Sequence, residues 1–469
     1  MVISDLLWRR PRHHMDVDEN HDHVHWVELF FDLVHVVTIF ILGNYLSHHL
    51  GWQGFWVFTG LFLAIFYAWA DSSLYNSLYI STDMPHRVVM ALKIVTMMTV
   101  AAAIPDVAGE GWTYFALAYA LNRALTAYLY WRARCTDNAV DTLAQEQARN
   151  FFVLAGVFAL SAFLPTPVAY WVFAAGVAAI QLQYMLPRVG TLRFERFVPQ
   201  LGHISERFGL LMLILLGEGF FKLVVTLADK GVYSVSAGTL FNVTMGGLSL
   251  FALAWTYFDC AGNEKPKSRT SAVLLRYWFA HIVILWSAVT IGVALAGQVY
   301  VGLWEPYPPG YAALGSVGLA VFLASLWALR RTVTDATDKY HSAGLRLFGI
   351  VMALVVLAVH PLIPSIISNG LWALALFSQI GVPIFLALRD ARRLFARGGY
   401  SRLLPKAKAQ AQRLQAIELY RDLIRKQRVA LELHVDRCLR ATVAKRHGNM
   451  GAVTHWGQPI VLDVIDAYR

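Results

Sequence analysis

Residues 27–47, VELFFDLVHVVTIFILGNYLS, decide the fold. The stretch has the length of about 20 residues that an α-helix needs to cross a hydrocarbon core. Its only formal charges are Glu28 and Asp32. A charged side chain in hydrocarbon is expensive, so these acids are expected to turn away from lipid. Glu28, Asp32 and His35 stand at i, i+4 and i+7, and therefore share one face of a helix. His25 extends that stripe toward the N-terminus. The spacing predicts a membrane-crossing helix with a polar stripe facing a bundle interior.

Similar apolar segments follow at 53–79, 87–104, 111–131, 146–164, 167–186, 204–228, 235–258, 275–298, 309–329, 345–361 and 366–388. Composition agrees: 57% of the 469 residues are hydrophobic and 15% are charged, against about 25% charged in soluble chains. The expected fold is an all-α polytopic membrane protein of about twelve transmembrane helices. The loops at 48–51, 105–111, 165, 301–310 and 361–369 contain no Lys or Arg. The alternate loops carry Arg132, Arg134 and Arg149, then Arg188, Arg193 and Arg196, then Lys265, Lys267 and Arg269, then Arg330, Arg331 and Lys339. By the positive-inside rule this alternation puts both termini in the cytoplasm of a multi-pass inner-membrane protein, with the Lys230 loop a mild exception.

The net charge of +10 belongs to the C-terminus. Residues 389–469 hold 17 Lys and Arg against 7 Asp and Glu, whereas residues 1–388 hold 23 of each kind. The favoured partner of this basic tail is the anionic lipid of the cytoplasmic leaflet, and no nucleic acid is expected. Leu414, Ile417, Ile424, Leu431, Val435 and Cys438 recur at near-helical spacing. They predict a tail helix over 406–446 that packs on the bundle or pairs with a second copy as a homodimer; a solvated basic helix is the alternative. Cys135, Cys260 and Cys438 show no paired spacing and read as free thiols. Residues 1–26 form an N-terminal segment rich in histidine. There His21, His23 and His25 alternate, and imidazole suits Zn, Ni or Cu. A divalent metal is the cofactor this stretch would take, although the spacing is not that of a closed structural zinc site. A plain polar pre-membrane segment is the competing reading.

The chain also matches itself. Phe55, Val57, Gly60, Ala68 and Trp69 recur 186 residues later as Phe241, Val243, Gly246, Ala254 and Trp255. Each Ala-Trp pair is followed by an acid, Asp71 or Asp259, and then by a basic helix start, Arg87 or Arg276. The expectation is two six-helix repeats, 27–186 and 187–388. Six is even, so both would have the same orientation, related by an axis along the membrane normal.

The buried charges are the candidate substrate- or ion-binding residues. In the first repeat these are Glu28, Asp32, His35, Asp71 and Arg87; in the second, Glu206, Arg207, Glu218, Lys222, Asp259, Arg276 and His281. The simple alternative for the Glu28, Asp32 and His35 stripe is structural pairing with Arg87, Lys93 or Arg123. Glu218 and Lys222 at i, i+4 have the spacing of a neutralising pair. The repeat predicts two mixed-charge clusters facing one another, with Glu218 above them near mid-membrane. The sequence has no Walker A loop, G-x-S-x-G elbow, HExxH or dinucleotide-binding glycine fingerprint. ATP-driven chemistry on this chain is therefore disfavoured.

Three stretches carry a resemblance: VELFFDLVHVV at 27–37, DMPHRVVM at 83–90 and HISERFGLLMLILLGEGF at 203–220. In this order they resemble the bacterial low temperature requirement protein A family. Its pattern opens L-E-L-F-F-D-L-V-F-V, continues D-L-P-H-R and later reads H-x-x-E-R-F-G-x-x-x-I-x-x-L-G-E. The resemblance spans residues 25–390 and carries onto Glu28, Phe30, Phe31, Asp32, His86, Arg87, His203, Glu206, Arg207, Gly217 and Glu218. His35 departs from it, standing where the pattern has an apolar or aromatic residue. The resemblance implies an integral membrane protein and supplies no substrate. The buried acids point to a permease or ion- or proton-coupled transporter. The alternatives are a membrane enzyme acting on a lipid or isoprenoid through Glu28, Asp32, Glu206 and His281, and a scaffold or sensor working through the tail.

Overall fold

The computed structural model describes residues 8–396 apart from 17–25, 82, 135–141, 187–190, 192, 193, 195, 196, 198, 263, 269 and 334–341. His21, His23 and His25, and the helix expected over 406–446, lie outside the described residues. The described chain is built from α1 (Trp26–His48), α2 (Trp52–Leu78), α3 (Met84–Ala103), α4 (Gly111–Ala133), α5 (Leu143–Ser161), α6 (Val168–Met185), α7 (Leu201–Lys230), α8 (Ala237–Cys260), α9 (Ser271–Gly297), α10 (Pro309–Arg330), α11 (Ala343–Val359) and α12 (Ser365–Ala396). A compact unit ends at Leu386, and a second unit begins at Ala387. Among the described residues, α1, α2, α3, α7, α8, α9, α10 and α12 are long and apolar enough to cross a membrane. The apolar helices α6 and α11 are shorter. More polar are α4, which holds Asn122, Arg123 and Arg132, and α5, which opens near Glu146 and Arg149.

Local chemistry sets several helix starts. Asp83 caps α3 by accepting from the His86 backbone N–H, and Pro85 occupies the first turn, where a missing N–H costs nothing. Ser236 and Ser342 cap α8 and α11 in the same way. Two short strands, β1 (Arg12–His13) and β2 (Tyr79–Ile80), pair antiparallel, with Arg12 opposite Ile80. Arg132 on α4 strengthens this junction, binding Asp83 at 2.5 Å and the Arg9 carbonyl at 3.3 Å.

The helices are turned inside out relative to those of a soluble protein. On α3 Lys93 is fully buried, while Leu92 and Val95 are 48% and 57% exposed. On α1 Asp32 and His35 are buried, and Phe30, Leu33 and Val37 face outward. Apolar side chains face outward, and the charged ones are kept inside a largely apolar core, which is the placement a bilayer selects. Lipid removes most of the hydrophobic drive between helices, so close packing of small residues has to hold them. Gly318 on α10 shows the effect, since a Cβ there would lie 2.6 Å from Thr290 Oγ1 on α9. Gly349 on α11 is similarly pressed against Leu323, Gln379 and the Ala375 carbonyl. At the centre, α1 and α2 pack against α7 and α9.

Candidate functional site: a buried charge lock

Three helices each contribute a pair of residues at i, i+4, and the pairs converge. Glu28 and Asp32 come from α1, Trp69 and Ser73 from α2, and His203 and Arg207 from α7. The helical repeat places both members of each pair on the same face. The Arg207 guanidinium is the hub. Its Nη1 donates to Glu28 Oε2 at 2.7 Å, and its Nη2 donates to Asp32 Oδ1 at 2.6 Å and to Ser73 Oγ at 2.9 Å. Trp69 Nε1 donates to the same Asp32 oxygen at 2.6 Å. His203 Nε2 lies 3.2 Å from Glu28 Oε2. Two carboxylates therefore share one guanidinium. Asp32 Oδ2, Arg207 Nε and His203 Nδ1 are buried without a hydrogen-bond partner among the described residues.

A second polar network lies across α2, α3, α4 and α6. Arg123 Nη1 donates to Asp71 Oδ2 at 2.5 Å and to the Tyr67 carbonyl at 3.3 Å, while its Nη2 reaches Asn122 Oδ1 at 2.7 Å. Tyr184 gives its hydroxyl proton to Asp71 Oδ1 at 2.6 Å. Lys93 donates to Thr126 Oγ1 and stands 5.7 Å from the centre of the Phe31 ring. It has no carboxylate within ion-pair distance among the described residues. Here one arginine holds the one carboxylate, and the second cation, Lys93, is bound to a hydroxyl instead.

Several expected site residues stand elsewhere. Arg87 is exposed at the start of α3, Asp259 and Arg276 are exposed, and Glu206 is half-buried. The second mixed-charge cluster does not form, because Arg207 turns away from its neighbours in sequence toward the two acids of α1. The two Ala-Trp motifs also diverge. Trp69 is buried and binds Asp32, whereas Trp255 is 39% exposed and donates to Asp259 on its own helix at 2.7 Å. The Glu218–Lys222 pair is corrected too: Lys222 crosses to α1 and donates to Asn44 Oδ1 at 2.8 Å, and no ion pair joins it to Glu218. The side-chain amide oxygen of the half-buried Asn44 offers Lys222 this acceptor.

Two of the histidines buried in helices, His35 and His281, have tautomers set by backbone carbonyls. His35 Nδ1 donates to the Phe31 carbonyl at 2.9 Å, and its Nε2 is unpartnered. His281 Nδ1 donates to the Tyr277 carbonyl, leaving Nε2 to accept from the Tyr257 hydroxyl at 3.2 Å. His281 also stacks on Phe208, so it reads as a core residue one step removed from the lock. Among the described residues no three His, Cys, Asp or Glu side chains converge as metal ligands. Sequence reasoning missed Ser73, Tyr184 and Asn44 as partners. Of the second network, Asp71, Lys93 and Arg123 were visible in the sequence as charges inside apolar runs, but their mutual contacts were not.

The family model described as bacterial low temperature requirement A protein, LtrA, matches residues 23–385. The chain belongs to the LtrA family. Within curated proteins, this LtrA chain is similar to a Rhizobium meliloti (strain 1021) protein described as uncharacterized protein RA0937. The two are 24% identical over 408 residues, covering 79% of this chain and 94% of that one. The matched region begins just ahead of Glu28 and holds both buried networks. Together, the family and the long apolar helices make this LtrA chain a multi-pass membrane protein.

Proposed function

We propose that this LtrA protein is a proton- or ion-coupled permease in which the charge lock latches two six-helix halves together. One observation carries the reading: Arg207, from the second half, is held by Glu28 and Asp32 of the first, and one Asp32 oxygen has no hydrogen-bond partner among the described residues. Two carboxylates on one guanidinium form a switchable arrangement. Adding a proton at Asp32 removes the surplus charge and loosens one arm of the clasp, which biases the halves between states facing opposite sides. Neighbour relations support the duplication. In the first half α1 packs on α2 and α3, α3 on α4, and α4 on α5; in the second, α7 packs on α8 and α9, α9 on α10, and α10 on α11. Loop charges support twelve spans in the inner membrane with both ends cytoplasmic.

The enzyme reading is less well supported, because Glu28, Asp32, Glu206 and His281 do not share one site. Purified protein in proteoliposomes tests the permease. Under an imposed pH gradient it is expected to carry proton or ion flux, or uptake of a member of a broad solute panel, and Asp32→Asn is expected to lose that activity while still folding. Wild-type liposomes as silent as empty ones across the panel would sink the proposal.

A further inference from the structure

A cavity of about 830 Å³ lies apart from the lock, between the first half of α2, α6 and α9. It is within the range of about 300–1,000 Å³ typical of small-molecule sites. Its shape is a groove along the helices. Gln53, Trp56, Gly60 and Tyr67 line it from α2, and the distance from Gln53 to Tyr67 is about 21 Å at a rise of about 1.5 Å per residue. That exceeds the thickness of one leaflet's hydrocarbon, about 15 Å.

The lining chemistry is one-sided. Aromatic and aliphatic side chains make nearly all of it, two amides, Gln53 and Gln181, add polarity, and no charged side chain is among its described lining residues. Trp56 and Trp171 are 54% and 74% exposed and stand on opposite walls. The inner end closes on Tyr67, whose backbone carbonyl accepts from Arg123. A charged headgroup would find no counter-ion anywhere along the groove, and burying it unpaired would be costly.

We infer that this groove is a binding site for one uncharged lipid chain, acyl or isoprenyl, lying along α2 with its inner end against Tyr67. Length, apolarity and the absence of lining charge all specify that class. The site is independent of the permease reading, since it uses none of the lock residues.

The test uses full-length protein in detergent and a monoacylglycerol carrying a diazirine at the chain end. Photolabelling mapped by mass spectrometry is expected to concentrate on α2, α6 and α9. Gly60 has open space where a Cβ would stand, so Gly60→Leu fills the groove without a clash. It is expected to weaken labelling at least about tenfold, the worth of roughly two buried methylenes. Ala174→Phe does the same from the α6 wall and covers the case in which Gly60→Leu folds poorly. Gly156→Leu on α5, which also has open space at its Cβ, is the matched control and should leave labelling unchanged. Competition by an unlabelled isoprenyl alcohol stronger than by monoacylglycerol assigns an isoprenyl chain, and the reverse order assigns an acyl chain. Labelling spread evenly over all outward faces and indifferent to both filling variants would overturn the site. Equal competition by an ionised fatty acid would overturn the neutral class.

Discussion

Replacing Arg207 by Met removes the guanidinium that holds Glu28 and Asp32 while keeping an unbranched side chain in its place. With about 4 Å between charge centres and an effective dielectric near 20, each ion pair attracts by about 4 kcal/mol. Desolvation offsets much of that when the pair forms, but removing one partner strands the other, at roughly 3–5 kcal/mol. In this lock the loss strands two carboxylates: both are buried, Asp32 has no other cationic group within ion-pair distance among the described residues, and Glu28 keeps only the His203 imidazole at 3.2 Å. Arg207→Met is therefore expected to lower the yield of folded protein sharply and to shift thermal unfolding, followed by tryptophan fluorescence in detergent, to clearly lower temperature. Asp32→Asn behaves oppositely. The amide keeps Oδ1 as the acceptor for Trp69 and Arg207, replaces the unpartnered Oδ2, and leaves Glu28 and Arg207 matched one to one. Its stability is expected to stay within about 1 kcal/mol of wild type. The triple variant Glu28→Gln, Asp32→Asn, Arg207→Met removes every charge and should recover most of what Arg207→Met loses. If Arg207→Met were as stable as the triple variant, or Asp32→Asn as damaging as Arg207→Met, the charge-lock reasoning would fail.

Other consequences follow from neighbouring contacts. Arg123→Met should destabilise by roughly 3–5 kcal/mol and be partly rescued by Asp71→Asn, while Tyr184→Phe should cost about 1.5–3 kcal/mol through its lost bond to Asp71; thermal unfolding in detergent reads all three. Gly318→Leu should cost about 1–3 kcal/mol, because its Cβ would collide with α9, whereas Gly156→Leu should be near neutral. Asp83→Ala removes both the α3 cap and the Arg132 partner, so proteolysis between residues 8 and 16 should accelerate relative to wild type. Reporters fused after His48, Ala108 and Pro308 should read as outside, and those after Leu143, Ser268 and Ala336 as cytoplasmic; two reversed reporters would break the twelve-span topology.

What the sequence made legible is local. The stripe of Glu28, Asp32 and His35 follows from a 3.6-residue period, and a bilayer leaves a stripe of that composition only one direction to face. The third span reads as 87–104 in the sequence, whereas α3 begins at Met84, because Asp83 caps it and Pro85 fits its first turn. Partner choice was hidden because it depends on which helices touch. Arg207 has Glu206 beside it, yet it bonds to α1, 175 and 179 positions away in the chain. Lys222 passes over Glu218 for Asn44 in the same manner. Asp71 and Asp259 follow similar Ala-Trp motifs, but only Asp71 meets an arginine inside the bundle. The lipid-chain groove was hidden for a further reason. Its aromatics look like any interfacial belt until α2, α6 and α9 are seen to leave a space between them.

The two buried networks become intelligible when considered together. Glu28, Asp32 and Asp71 provide three acids around α2, and Arg207, Arg123 and Lys93 provide three bases. Counted by formal charge, the set sums to zero. A purely structural arrangement would pair these groups one to one and leave no atom unsatisfied. Instead two acids crowd one arginine on one side of α2, and in the second network Arg123 alone pairs with Asp71 while Lys93 binds Thr126. The mismatch leaves a carboxylate oxygen without a partner and an ammonium bound to a hydroxyl, each a cost that closer pairing would avoid. Such an arrangement is stable to the gain of one proton at the acid-rich end, which a fully paired one is not. Local imbalance within global neutrality is thus the feature that favours a switching role for Asp32 over a bracing one. It also explains why Asp32→Asn, which removes the surplus acid of the lock, should leave the bundle sound and the proposed transport silent.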